Sequence, residues 1–211
     1  MTVTIRAFGL ALSLAALAAP LSAQSISFGL RGTGSFPTGA FAEDPTSSNT
    51  TLIQGAKSGF GYGAEVDVSL GPIGAYGSFD HIAFDCETTT CSSSGEYTLQ
   101  GIAVGLKLSP PMLATRFRPY VKAGVTFNDL KGGYGTASSG LTTDRNPGFE
   151  VGAGADFSLL SLLSIQPQLR YVGQNLKANI PGVTNTATKP ESGVNYFTFD
   201  LGAALHLPFG L

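Results

Sequence analysis

From Gly59 to Leu70 the chain alternates with a period of two. Phe60, Tyr62, Ala64, Val66, Val68 and Leu70 hold one parity, and Gly59, Gly61, Gly63, Glu65, Asp67 and Ser69 hold the other. Successive side chains of a β-strand point to opposite faces, so this segment predicts a strand with one apolar face and one small or charged face. A helix would scatter both sets around its circumference.

The pattern recurs along the chain. Ile26, Phe28 and Leu30 oppose Ser27, Gly29 and Arg31, and Ile102, Val104, Leu106 and Leu108 oppose Gly101, Ala103, Gly105 and Lys107. Val121, Ala123, Val125 and Phe127 alternate with Tyr120, Lys122, Gly124, Thr126 and Asn128. Further strands are expected around Phe149–Phe157, with Glu150 and Asp156 on the polar side, and around Ile165–Tyr171, with Arg170. The last runs from Phe197 to Leu207, with Asp200 and His206 on its polar side. The stretch from Ile73 to Phe84 is strand-like, but its parity is mixed and its faces stay unassigned.

About eight strands result, an even number that permits closure. The connections supply an independent signal. Long polar segments at 37–58, 85–95, 131–146 and 177–194 alternate with short ones at Gly71-Pro72, around Pro110-Pro111 and at 160–163. Short periplasmic turns alternating with long extracellular loops give this rhythm in transmembrane barrels. The expected fold class is therefore all-β, an eight-stranded antiparallel up-and-down transmembrane β-barrel, with its N-terminus periplasmic.

Composition sharpens that reading. Charged residues make up 12% of the chain, against about 25% in soluble domains, so most of the surface is not expected to meet water. The net charge of −2 offers no basic field for nucleic acid. After residue 24 no apolar run approaches the ~20 residues of a spanning helix. Before it, Arg6, the apolar Ala7–Ala19 stretch, Pro20 and the Leu21-Ser22-Ala23 sequence form an export signal, so residues 1–23 are expected to be a signal peptide and 24–211 the barrel. In an exported chain Cys86 and Cys91 are expected to form a disulfide closing a small loop.

Alternation alone does not separate a membrane barrel from a soluble, lipocalin-like one. Here the non-apolar face is rich in glycine, which suits a narrow, crowded lumen. Its charges nearly balance: Arg31, Lys107, Lys122 and Arg170 against Glu65, Asp67, Glu150, Asp156 and Asp200. Buried ions must pair, so these nine residues are expected to form an ion-pair network in the lumen. Phe60, Tyr62, Phe127, Phe149, Tyr171, Phe197 and Phe199 stand on the apolar parity near the loop ends of their strands, as an interfacial girdle would.

The segments Pro119–Val125, Gly148–Gly154 and Gln168–Tyr171, with the closing strand from Phe197 to Phe209, resemble the outer-membrane beta-barrel domain superfamily. Its members include the OmpA transmembrane domain, OmpX and OmpW-like proteins. The resemblance covers roughly residues 25–211 and implies the bacterial outer membrane as compartment, with its lipid and the barrel-assembly machinery as partners. The assembly signal of that group is a last strand ending in an aromatic residue; here Phe209 is followed by Gly210 and Leu211.

Candidate chemistry is sparse. No zinc spacing, phosphate loop or basic-aromatic patch occurs, and no cofactor is expected. His81, beside Asp80, invites a serine-histidine reading with Ser78 or Ser92, yet no nucleophile elbow accompanies it. A non-enzymatic scaffold displaying extracellular loops to a possible partner is the expected function. The alternatives are OmpW-like passage of small or hydrophobic molecules, and a lipid-modifying enzyme at the rim.

Overall fold

The computed structural model describes residues 24–43, 53–86, 96–110, 116–132, 141–179 and 191–208. Among them are nine strand segments: β1 (Gln24–Thr38), β2 (Ala56–Leu70), β3 (Ile73–Cys86), β4 (Glu96–Leu108), β5 (Phe117–Gly132), β6 (Leu141–Thr143), β7 (Asn146–Ser158), β8 (Leu163–Asn179) and β9 (Glu191–Pro208). A 3-10 turn, Gly39–Phe41, follows β1. β6 and β7 each pair with both β5 and β8, so together they make one strand interrupted at Asp144-Arg145. The result is a closed antiparallel barrel of eight strands.

The register fixes its shape. Following paired residues from Phe28 through Val66, Gly77, Val104, Val125, Phe149, Gly173 and Asn195 returns to β1 at Thr38. One circuit thus climbs ten residues. At about 3.3 Å per residue and 4.8 Å per strand, eight strands with this stagger tilt by about 40°. At the short-turn end, the Gly71-Pro72 turn joins β2 to β3 immediately below the Leu70–Ile73 pair. Gly71 has a φ of 68° there, a conformation that favours glycine.

The apolar parity points outward. Leu30, Phe60, Tyr62, Leu106, Leu169, Phe199 and Leu201 are each more than half exposed on the outer wall. On β9 the outward apolar series runs from Phe197 to Leu207, ten steps that rise about 25 Å at this tilt, the height of an outer-membrane apolar band.

Above that band the pattern inverts. Ile82, Phe84, Tyr97, Leu99, Leu130, Val172, Leu176, Val194 and Tyr196 all point inward and are buried, joined by Phe41 and Ile53 from the segment between β1 and β2. The outward neighbours there are polar: Asp85, Thr98, Gln100, Lys131, Asn175, Lys177 and Asn195. Apolar-out and polar-in suits lipid around a filled lumen; polar-out and apolar-in is the arrangement of a soluble barrel. The wall therefore continues beyond the girdle into water. This corrects the expectation that glycine and ions fill the whole interior, and it shortens the expected loops, because parts of 37–58, 131–146 and 177–194 are strand.

Two irregularities keep charge out of that apolar upper interior. The register of β2 against β3 shifts between Ala56 and Gly59, leaving Ala56 buried and both Lys57 and Ser58 outside. A second extra residue at Asp144-Arg145 turns Thr143 inward, where its Oγ1 accepts the Leu130 N–H at 2.9 Å, while Arg145 stays exposed. Bulges of this kind re-aim side chains without ending the sheet.

Candidate functional site: the filled lumen

The inner face of β1 carries Ser27, Arg31 and Thr33; that of β2 carries Glu65 and Asp67; β3 adds Tyr76, Ser78 and Asp80. Lys107 of β4, Tyr120 and Lys122 of β5, Glu150 of β7, Arg170 of β8 and Asp200 of β9 complete the ring. Each is nine-tenths or more buried, so none of these charges is solvated as it would be on a surface. The strand parity alone puts them all inside.

Glu65 is one hub. Its carboxylate lies 2.9 Å from Arg31 Nη1, 2.6 Å from Lys122 Nζ and 3.9 Å from Lys107 Nζ. Lys107 also reaches Asp67 at 3.3 Å, which in turn accepts the Ser27 hydroxyl at 3.1 Å. Arg170 is the second hub, at 3.0 Å from Asp80, 3.2 Å from Glu150 and 2.6 Å from Asp200. Asp80 joins the two, because Arg31 Nη2 approaches it at 2.8 Å. Lys122 to Glu150 at 3.7 Å and the Tyr76 hydroxyl donating to Glu150 at 2.6 Å close the circuit. Most of these links join strands that are not neighbours in the sheet, so they span the lumen.

Of the nine residues expected in the network, the structure brings together Arg31, Glu65, Asp67, Lys107, Lys122, Glu150, Arg170 and Asp200. Asp156 stands apart: it accepts a hydrogen bond from Gln166 Nε2 and makes no ion pair among the described residues. Near that end of the lumen Ser164 Oγ and His206 Nε2 lie 2.7 Å apart. The network also holds Asp80, which the alternation left unassigned. Four cations, Arg31, Lys107, Lys122 and Arg170, therefore face five carboxylates, Glu65, Asp67, Asp80, Glu150 and Asp200.

Aromatic rings fill the space that inner-face glycines leave. A Cβ at Gly105 or Gly124 would collide with Tyr76, and one at Gly154 would lie 2.6 Å from the Tyr120 ring. Gly152 underlies Arg170 and Lys122 in the same way. Lys107 stands 4.1 Å from the Tyr120 ring centroid and Lys122 4.5 Å from that of Tyr76, so each ammonium meets a π-face as well as a carboxylate. Just above, Asn128 Nδ2 donates to Gln174 Oε1 at 2.9 Å, and the apolar packing begins.

The other candidates disperse. His81 projects from the outer wall with its ring 5.1 Å from that of Tyr62, whereas Ser78 points into the lumen; they occupy opposite faces of β3 and form no serine-histidine pair. Ser92 lies outside the described residues. Cys86 ends β3 in the upper apolar cluster, and Cys91 lies outside the described residues, as do residues 1–23. Among the described residues no group of three His, Cys, Asp or Glu is placed to hold a metal ion.

A closed eight-stranded barrel with an apolar outer wall and a charged, filled interior defines the class of small transmembrane barrels. The family model of the outer membrane protein beta-barrel domain matches residues 8–206, and the chain belongs to that family; it is a bacterial outer-membrane protein. Solved structures with this fold include neisserial surface protein A, 12% identical with a TM-score of 0.55 over 88% of this chain and 97% of that one. OprG of Pseudomonas aeruginosa is 13% identical, TM-score 0.59, over 89% and 97%. The attachment invasion locus protein Ail of Yersinia pestis is 16% identical, TM-score 0.50, over 88% and 99%. No curated protein matches the chain in sequence.

Proposed function

We propose that this protein is a non-conducting scaffold of the outer membrane that holds its extracellular segments out for contact with a partner. The observation that carries the reading is the double closure of the lumen. An ion network crosses it within the membrane band, and an apolar packing centred on Phe41, Phe84 and Tyr97 fills it above. A permeating ion would have to break cross-lumen pairs and then pass a region lined mainly by apolar side chains. Function in such a molecule falls to the segments between strands, carried on a rigid wall. No enzymatic role is proposed: His81 and Ser78 lie on opposite faces of β3, and among the described residues no carboxylate is hydrogen-bonded to the His206 ring, whose Nε2 meets Ser164 Oγ.

The purified protein in a planar bilayer tests this. The scaffold reading expects no steady conductance, and sustained large openings would overturn it. A second reading, passage of small apolar molecules, draws on the apolar lining above the band. It requires that lining to be vacated, so Phe41→Ala should raise uptake of a small hydrophobic solute; unchanged uptake counts against it.

A further inference from the structure

Within the apolar band, β1 presents two successive outward glycines, Gly32 and Gly34. A Cβ at Gly32 would meet nothing within 4 Å, and one at Gly34 only the Phe199 carbonyl at 3.9 Å. On one side their register partners are Leu201 and Phe199 of β9, and on the other Tyr62 and Phe60 of β2. The rings of β2 do not lean over the glycines. Tyr62 turns the other way, against His81 of β3, with 5.1 Å between ring centroids. Phe60 stands 79% exposed, more than any other large apolar side chain among the described residues. Gly173, an outward glycine of β8, shows the contrary arrangement: the Phe149 ring covers it, with Cε1 2.6 Å from its Cβ position. The wall at β1 is therefore an open notch two glycines long, beside a ridge of two rings.

A notch and a ridge of equal length, side by side, are self-complementary. A two-fold axis along the membrane normal, passing between β1 and β2, sets the ridge of each copy into the notch of the other, the isologous contact of a C2 dimer. Shape is what counts in lipid, where acyl chains are as apolar as the wall and exposed apolar area alone drives nothing together. A ring seated on a glycine floor between β9 and β2 gains close contacts that a smooth stretch of wall does not offer. The patch is also large enough. Phe36, Phe60, Tyr62 and Phe199 are each more than half exposed and, at about 200 Å2 per aromatic side chain, together present about 500 Å2. Leu30 and Leu201, 73% and 56% exposed, bring one copy's face near the about 800 Å2 per partner of a stable complex.

We propose that the β1–β2 face is the interface of a two-fold dimer in the membrane, with Phe60 and Tyr62 of each copy seated on Gly32 and Gly34 of the other. The full chain, carrying one dye per copy in phosphatidylethanolamine–phosphatidylglycerol vesicles at graded dilution, tests this by single-molecule photobleaching. Two bleaching steps are expected, giving way to one as lipid dilutes the protein. Gly32 has no positive φ, so Gly32→Leu fills the notch without backbone strain; it should weaken dimerisation about tenfold, a difference of about 1.4 kcal/mol. Phe60→Ala, which lowers the ridge, should weaken it severalfold. Ala153→Leu, on the outward face of β7 and three strands or more from the patch, should leave it unchanged. Heat-shifted gel migration verifies that each variant is folded. Single steps for the unaltered protein at every dilution overturn the proposal and leave the notch to lipid. Longer series of steps overturn the two-fold contact, and equal dimerisation of all four proteins overturns the assignment to this face.

Discussion

Arg170 on β8 and Asp80 on β3 meet across the lumen, with Nη1 3.0 Å from Oδ2, although their strands are not neighbours in the sheet. Both side chains are buried. Asp80 is also the link between the Arg31–Glu65 hub and the Arg170 hub. Removing one member of a buried pair leaves an uncompensated charge and costs about 3–5 kcal/mol. Asp80→Asn should therefore destabilise the barrel by about that amount in urea unfolding followed by gel mobility. Lys177→Gln, at the exposed Lys177–Glu191 pair, should cost under about 1 kcal/mol. Equal effects would mean that the lumen charges are not coupled as described.

The glycines of the inner face are expected to be intolerant where a ring covers them. In Gly154→Ala the new methyl group would sit 2.6 Å from Tyr120 and 2.7 Å from the Pro167 carbonyl. Overpacking of this kind costs about 1–3 kcal/mol. Gly77, on the outer wall, has no atom within 4 Å of a Cβ position, so Gly77→Ala should change stability by under about 0.5 kcal/mol. The same unfolding assay reads both.

Leu201 and Asn195 share the outward face of β9 on either side of the expected membrane boundary. Leu201→Lys places an ammonium within the apolar band and should cost about 2–4 kcal/mol, whereas Asn195→Lys, above it, should cost at most about 1 kcal/mol. Folding into lipid vesicles at graded urea concentrations measures the difference, and a reversed order would misplace the band.

The disulfide expected between Cys86 and Cys91 is open to a direct assay. Peptide mapping of the unreduced protein should recover the two cysteines in one linked fragment, and reduction should separate them. Because so short a loop removes little chain entropy, reducing the bond should leave the unfolding midpoint nearly unchanged. Two alkylatable thiols in the unreduced protein would contradict the pairing.

The outward apolar parity, the strand count and eight members of the lumen network were legible in the sequence because each rests on period-two alternation. What escaped was where that alternation changes meaning. In β3 the inner face passes from Ser78 and Asp80 to Ile82 and Phe84, while the outer face passes from Phe79 to His81 and Asp85. Read as one face pair, that strand looks mixed; read as a strand crossing from lipid into water, it is regular, and Asp80 falls inside. The same crossing explains why the upper strand ends read as polar loops: their outward residues face water. Asp156 carried no signal to separate it from the other inward carboxylates, since its Gln166 partner depends on the pairing of β7 with β8.

Nitroxide labels placed one at a time along the outward face of β9, at Asn195, Phe199, Leu201 and Leu205, test the inversion most directly in lipid vesicles. Collisions with oxygen, which dissolves in lipid, should dominate at Phe199, Leu201 and Leu205, while a water-soluble nickel chelate should reach Asn195. Chelate access at Leu201 equal to that at Asn195 would contradict a lipid-facing wall.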